Sequence, residues 1–147
     1  MDTKTQLEVA LKDAIRSSDE PRKRTLRMAL SNIRLTEIDK GIKLDEAAVL
    51  SVLQKEVKTR HEAIAYAEKA ARPDLIAEAQ VEIAILEGFL PKAFSEAELE
   101  ALAKEVITEV GATSSKEMGQ VMKTLMPRLQ GRATGDQASQ VVRKLLQ

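Results

Sequence analysis

Apart from carboxylates, which are plentiful but read as solvated helix faces, few side chains in this 147-residue chain are of types that do chemistry: one histidine, His61; two serine pairs, Ser17-Ser18 and Ser114-Ser115, the latter followed by Lys116; and an arginine bracketed by glycines in Gly131-Arg132-Ala133-Thr134-Gly135. His61 sits among Lys58, Arg60 and Glu62 with no second histidine for a zinc site or a proton relay, and reads as a solvated helix residue. Lysine can serve serine as a base. Both serine pairs, however, fall where helices need capping oxygens, and no oxyanion loop accompanies them. Glycines around Arg132 could turn backbone amides toward an anion. Without a preceding strand or a lysine-serine ending, the segment matches no nucleotide fingerprint and reads as a helix-to-helix turn. No catalytic residue, cofactor site or metal site is assigned.

Composition narrows the rest. Cysteine is absent, which removes disulfides, thiolate metal sites and cysteine nucleophiles together. The N-terminal MDTKTQLEVALKDAI carries acids and sustains no apolar run, so we expect neither export nor membrane insertion, and a cytoplasmic location. Tyr66, Phe89 and Phe94 are the only aromatic residues, too few for a base-stacking surface.

Positive and negative residues cancel, 23 against 23, yet they are segregated along the chain. Arg16, Arg22, Lys23, Arg24, Arg27 and Arg34 are interrupted only by Asp19 and Glu20. Lys116, Lys123, Arg128, Arg132, Arg143 and Lys144 are interrupted only by Glu117 and Asp136. The balancing acid lies largely on Glu96, Glu98, Glu100, Glu105 and Glu109. Segregation of this kind gives a neutral protein a phosphate-facing side, since a handful of phosphate contacts suffices for salt-sensitive binding.

The elements that must position these residues are all helical: apolar residues recur three and four apart nearly everywhere, and no period-two run appears. Thr5 to Ser17 carries Leu7, Leu11, Ala14 and Ile15 on one face. Pro21 fits the first turn of a second helix, with Leu26, Leu30, Ile33 and Glu37 on one stripe and Met28, Leu35 and Ile38 beside it, stopping at Lys40-Gly41. Asp45 caps a third helix of about 25 residues, with Val49, Val52, Leu53, Val57, Ile64 and Ala67 recurring along it. Arg72-Pro73-Asp74 breaks it. A fourth helix spans Leu75 to Phe89 with Ile76, Ala79, Ile83 and Leu86 inward. Ser95 with Glu98 and Ser114 with Glu117 read as capping boxes opening two further helices, the first ending at Val110-Gly111. The second carries Met118, Met122 and Met126 as packing residues, with Pro127 ending or kinking it, and a last helix covers Asp136 to Leu146. The expectation is an all-α chain: a bundle of about four helices over residues 1–92, then a small three-helix domain over residues 93–147.

The run MGQVMKTLMPRLQGRATGDQASQVVRKLL resembles the C-terminal signature of the GatB/YqeY family, and TLRMALSNIRLTEID, VLQKEVKTRHEAI and EIAILEGFLP extend the resemblance over nearly the whole chain. The full-length match is to stand-alone YqeY-like proteins. Residues from about Ser95 resemble the tail domain of GatB, a subunit of the glutamine-dependent transfer-RNA amidotransferase, with Leu125 to Leu129 additional. The resemblance implies a tail-like domain that contacts transfer RNA, and a family label of carbon-nitrogen ligase activity with glutamine as amide donor that belongs to the complex. We therefore expect an accessory protein holding transfer RNA or another structured RNA through Lys116, Lys123, Arg128, Arg132, Arg143 and Lys144. The alternative is an adaptor docking on an amidotransferase, an aminoacyl-tRNA synthetase or another protein.

Overall fold

The computed structural model describes residues Met1–Gln147 as seven α-helices and one short 3-10 turn, with no strand. Two compact units divide the chain, Met1–Pro91 and Lys92–Gln147.

In the first unit the helix starts are set by aspartates. Asp2 accepts from the Thr5 amide and opens α1 (Thr3–Arg16); Asp19 does the same for Arg22 and opens α2 (Glu20–Lys40), with Pro21 in its first turn. Asp45, accepting from Ala48 at 2.8 Å, opens α3 (Glu46–Lys69). Ser17 and Ser18 end α1 and cap nothing beyond it. Gly41 closes α2 at φ +66°, a left-handed conformation that costs a side chain with a Cβ about 1 kcal/mol. Then α4 (Pro73–Glu87) begins at the proline itself, whose missing N–H is an orphan of the first turn in any case.

Helix α2 packs on α1, α3 and α4, and α3 lies along α4. Leu7, Leu26, Ile33, Leu53 and Leu86 are fully buried at the centre, each contributing about 1.5–3 kcal/mol by leaving water. At one end of the unit, the Thr3 amide and hydroxyl both donate to Glu46, and Glu37 accepts from Lys4 at 3.0 Å and from the Leu44 amide at 2.9 Å. The α1 and α2 faces differ from the expected ones at Ile15, Met28, Leu35 and Ile38, which are largely exposed.

In the second unit, α5 (Glu96–Val110) starts on Ser95, which accepts from the Glu98 amide at 3.1 Å, and ends on Gly111 at φ +69°. The expected box at Ser114 is not made. Residues Ser115–Glu117 form a 3-10 turn, the Ser114 side chain caps nothing, and the Glu117 carboxylate accepts instead from the Thr113 hydroxyl. Helix α6 (Met118–Leu129) runs through Pro127 for two further residues, because Leu125 and Leu129, four apart, bury on one face. Gln130 and Gly131, both with positive φ, turn the chain into α7 (Gly135–Leu146). A full capping box opens α7: Thr134 accepts from the Gln137 amide and Gln137 accepts from the Thr134 amide. Leu99, Ala103, Val106, Val121, Leu125 and Val142 form the core; Met118 and Met122 pack against it, whereas Met126 is about half exposed.

Candidate functional site

The six candidate cations, all in the second unit, fall into two groups. Arg128 is held by α5: its guanidinium makes paired hydrogen bonds to the Glu109 carboxylate at 3.0 and 2.6 Å. Arg132 is held three ways. Its Nε donates to the Lys92 carbonyl at 2.9 Å, its Nη2 reaches Glu98 at 3.3 Å, and its guanidinium lies 4.0 Å from the Phe94 ring centroid. The Phe94 amide returns a bond to the Arg132 carbonyl at 2.8 Å. These contacts fasten the turn before α7 to the segment entering α5, so Arg132 is a structural clamp. Arg128 and Arg132, expected among the RNA-holding cations with Lys123, are each paired with an acid of α5, Glu109 and Glu98, two of the five on that helix.

Lys116, Lys123, Arg143 and Lys144 are exposed and carry no ion pair. Lys144 borders a hollow of about 220 Å³ together with Glu96 and Glu100, which lowers the local positive potential there. The glycine-bracketed turn does not present free amides to an anion at Thr134 and Gln137, whose N–H groups are used by the capping box.

Titration follows from the pairing. The hydrogen bond from Arg128 holds the Glu109 carboxyl below its ordinary range, and the Leu44 amide and then Lys4 do the same for Glu37. A carboxyl with a lowered folded pKa stabilises the fold above its unfolded value of about 4.3, and this contribution is lost as pH falls through the lower folded value. Glu109→Gln is therefore expected to lower the thermal midpoint at pH 7, with the gap from wild type closing below about pH 4. Differential scanning calorimetry across pH 3–7 checks it; a gap that persists undiminished at pH 3 contradicts the assignment.

The first unit holds a charged cluster that apolar periodicity passes over. Arg60, 7% exposed, donates from Nη1 to Glu56 at 2.6 Å and from Nε to Glu82 at 2.7 Å. Burial opposes its charge, while the bonds to Glu56 and Glu82 outweigh burial and hold the guanidinium pKa above its usual value. Asn32 donates to Glu56, and Arg24 lies 3.7 Å from Glu82. No buried side-chain polar atom in the protein lacks a partner. The signal was present in register: Val49, Leu53, Glu56 and Arg60 follow one four-and-three stepped stripe of α3, all four buried, with buried Ala67 two turns further on. His61, next along, is exposed.

Neither unit groups three or more histidine, aspartate or glutamate side chains as a metal site, and no helix is long and apolar enough to cross a membrane. A model of the YqeY-like protein family matches residues 4–146. The chain belongs to the YqeY-like family. Its curated relatives include three fungal proteins named altered inheritance of mitochondria protein 41, mitochondrial. The one from Lachancea thermotolerans is 34% identical over 113 residues, 75% of this chain and 60% of that protein. The Pyrenophora tritici-repentis protein is 28% identical over 131 residues, 87% and 71% of the two lengths. The Kluyveromyces lactis protein is 38% identical over 104 residues, 68% of this chain and 56% of its own. This YqeY-like chain thus aligns with only part of each relative.

Proposed function

We infer that this YqeY-like protein is an accessory that binds transfer RNA or a similarly structured RNA through the second unit, with no reaction assigned to the chain itself. The observation that carries the reading is the division of charge there: Arg128 and Arg132 satisfy Glu109 and Glu98, leaving Lys116, Lys123, Arg143 and Lys144 without protein partners. Structured RNA is read mainly by shape and phosphate, so unpaired cations suffice without aromatic residues. The proposed compartment is the cytoplasm; fractionation of the native host tests it, and recovery in mitochondria, where the relatives' names put them, counts against it.

Filter binding of unmodified transfer RNA is expected to weaken steeply between 50 and 200 mM salt. Lys123→Glu with Arg143→Glu is expected to reduce affinity about tenfold or more and the salt slope by about 1 for each phosphate contact removed. Arg132 is left intact in this test, because its loss would undo the turn before α7. Absence of binding, or an unchanged slope in the double variant, overturns the reading. Amidation of mischarged transfer RNA by the purified chain with glutamine would overturn its non-catalytic part.

A further inference from the structure

Helices α2 and α3 run antiparallel with their facing positions in a fixed register: Met28 Sδ accepts from Arg60 at 3.4 Å, and one turn on Asn32 donates to Glu56. Above this ladder lies an open groove of about 550 Å³, lined by Met28, Asn32 and Leu35 from α2 and by Val52, Thr59 and Ala63 from α3, among others. Both walls step by four, three and four residues, 28, 32, 35 and 39 on α2 and 52, 56, 59 and 63 on α3. That is the spacing with which a helix presents one seam to a neighbouring helix. From Met28 to Asp39 the groove spans about 16 Å, roughly three helical turns.

Its floor requires nothing. Arg60, Glu56 and Glu82 satisfy one another, so neither a free anion nor a cation is called for. The upper edge is different. Met28 is 48% exposed, Leu35 57% and Ile38, also on α2, 68%. Interleaved with them, Arg27 and Arg34 on α2 and Lys55 on α3 are exposed and without carboxylate partners, against one exposed acid of the lining, Asp39. A two-fold pairing of this face with a second copy would oppose these cations to one another.

We propose that the α2/α3 groove receives an acidic amphipathic helix of about three turns from a partner protein, its apolar positions on Met28, Leu35 and Ile38 and its carboxylates against Arg27, Arg34 and Lys55. Helix-in-groove recognition uses such anchors at three-and-four spacing, and methionine at the rim adapts to the shape it meets. The proposal is independent of RNA binding by the second unit.

The test places a photoreactive benzoyl-phenylalanine at Leu35, or at the exposed α3 residue Glu62 as control, in the full chain expressed in its native host, and crosslinks with and without ribonuclease. The expected result is a ribonuclease-resistant crosslink from position 35 alone, mapping to one acidic helical segment. The synthetic peptide of that segment then binds the full chain, and Arg27→Glu with Arg34→Glu, or Leu35→Asp, weakens it at least tenfold while leaving helicity and thermal midpoint in place. The proposal is overturned by no crosslink above the Glu62 control, by crosslinks only to RNA or to a second copy of the chain, by a mapped segment that is not acidic, or by a peptide whose affinity ignores these substitutions. Because transfer-RNA binding is measured on Lys123 and Arg143, either inference fails without the other.

Discussion

Leu125→Ala is expected to destabilise the second unit by about 3 kcal/mol, the cost of deleting a fully enclosed leucine and leaving its cavity. Leu125 sits between α5 and α7 at the centre of a core only ten buried residues strong, one of which, Ala133, comes from the turn. A unit of this size keeps a stability of only a few kcal/mol, so such a loss takes most of it. Amide hydrogen exchange is expected to show protection lost through α5, α6 and α7 while Leu26 and Ile33 in α2 keep theirs, since the two cores share no residue. Equal loss of protection in both units would show that they unfold together.

Arg60→Ala is the second large effect and acts in the other unit. It strands Glu56 and Glu82 beside one another without the guanidinium that joins them. Removing one partner of a fully enclosed ion pair costs about 3–5 kcal/mol; because this cluster floors an open groove that water reaches, we expect about 2–3 kcal/mol, read from the urea midpoint. Arg60→Lys is expected to recover only part of this, since an ammonium lacks the planar fork that reaches both carboxylates. Arg60→Met combined with Glu56→Leu and Glu82→Leu is expected to lie within about 1 kcal/mol of wild type, because no charge is left to desolvate. A triple variant as unstable as Arg60→Ala would mean that packing, and not charge, dominates the site.

The all-helical class, the stops at Gly41 and Gly111, the Asp45 cap and Pro21 in the first turn of α2 are written in local sequence, because caps and breakers act within a turn of themselves, whereas α1 and α4 start at Thr3 and Pro73, two residues before the expected Thr5 and Leu75. Family membership is legible there too, since the YqeY-like model matches residues 4–146. Local pattern is silent where a side chain's partner lies elsewhere in the chain. Within a turn, spacing alone is not sufficient either: Ser114 and Glu117 have capping-box spacing, yet a 3-10 turn rotates them out of it, whereas Thr134 and Gln137, with the same spacing, make the box. Arg128 and Arg132 look as free as Lys123 until α5 brings Glu109 and Glu98 against them.

By itself, then, the sequence determined which segments are helices, where they stop, which family they compose and that its charges are unevenly placed, all of which depend on residues within a few positions of one another. Only the tertiary structure decided which cations remain unpaired, that Glu56 and Arg60 find Asn32 and Glu82 as partners on other helices, and that Met28 and Leu35 edge a groove instead of filling a core. The physical reason is range: capping and helical periodicity act over a turn or two, but burial and ion pairing are settled by side chains as distant in sequence as Arg24 and Glu78.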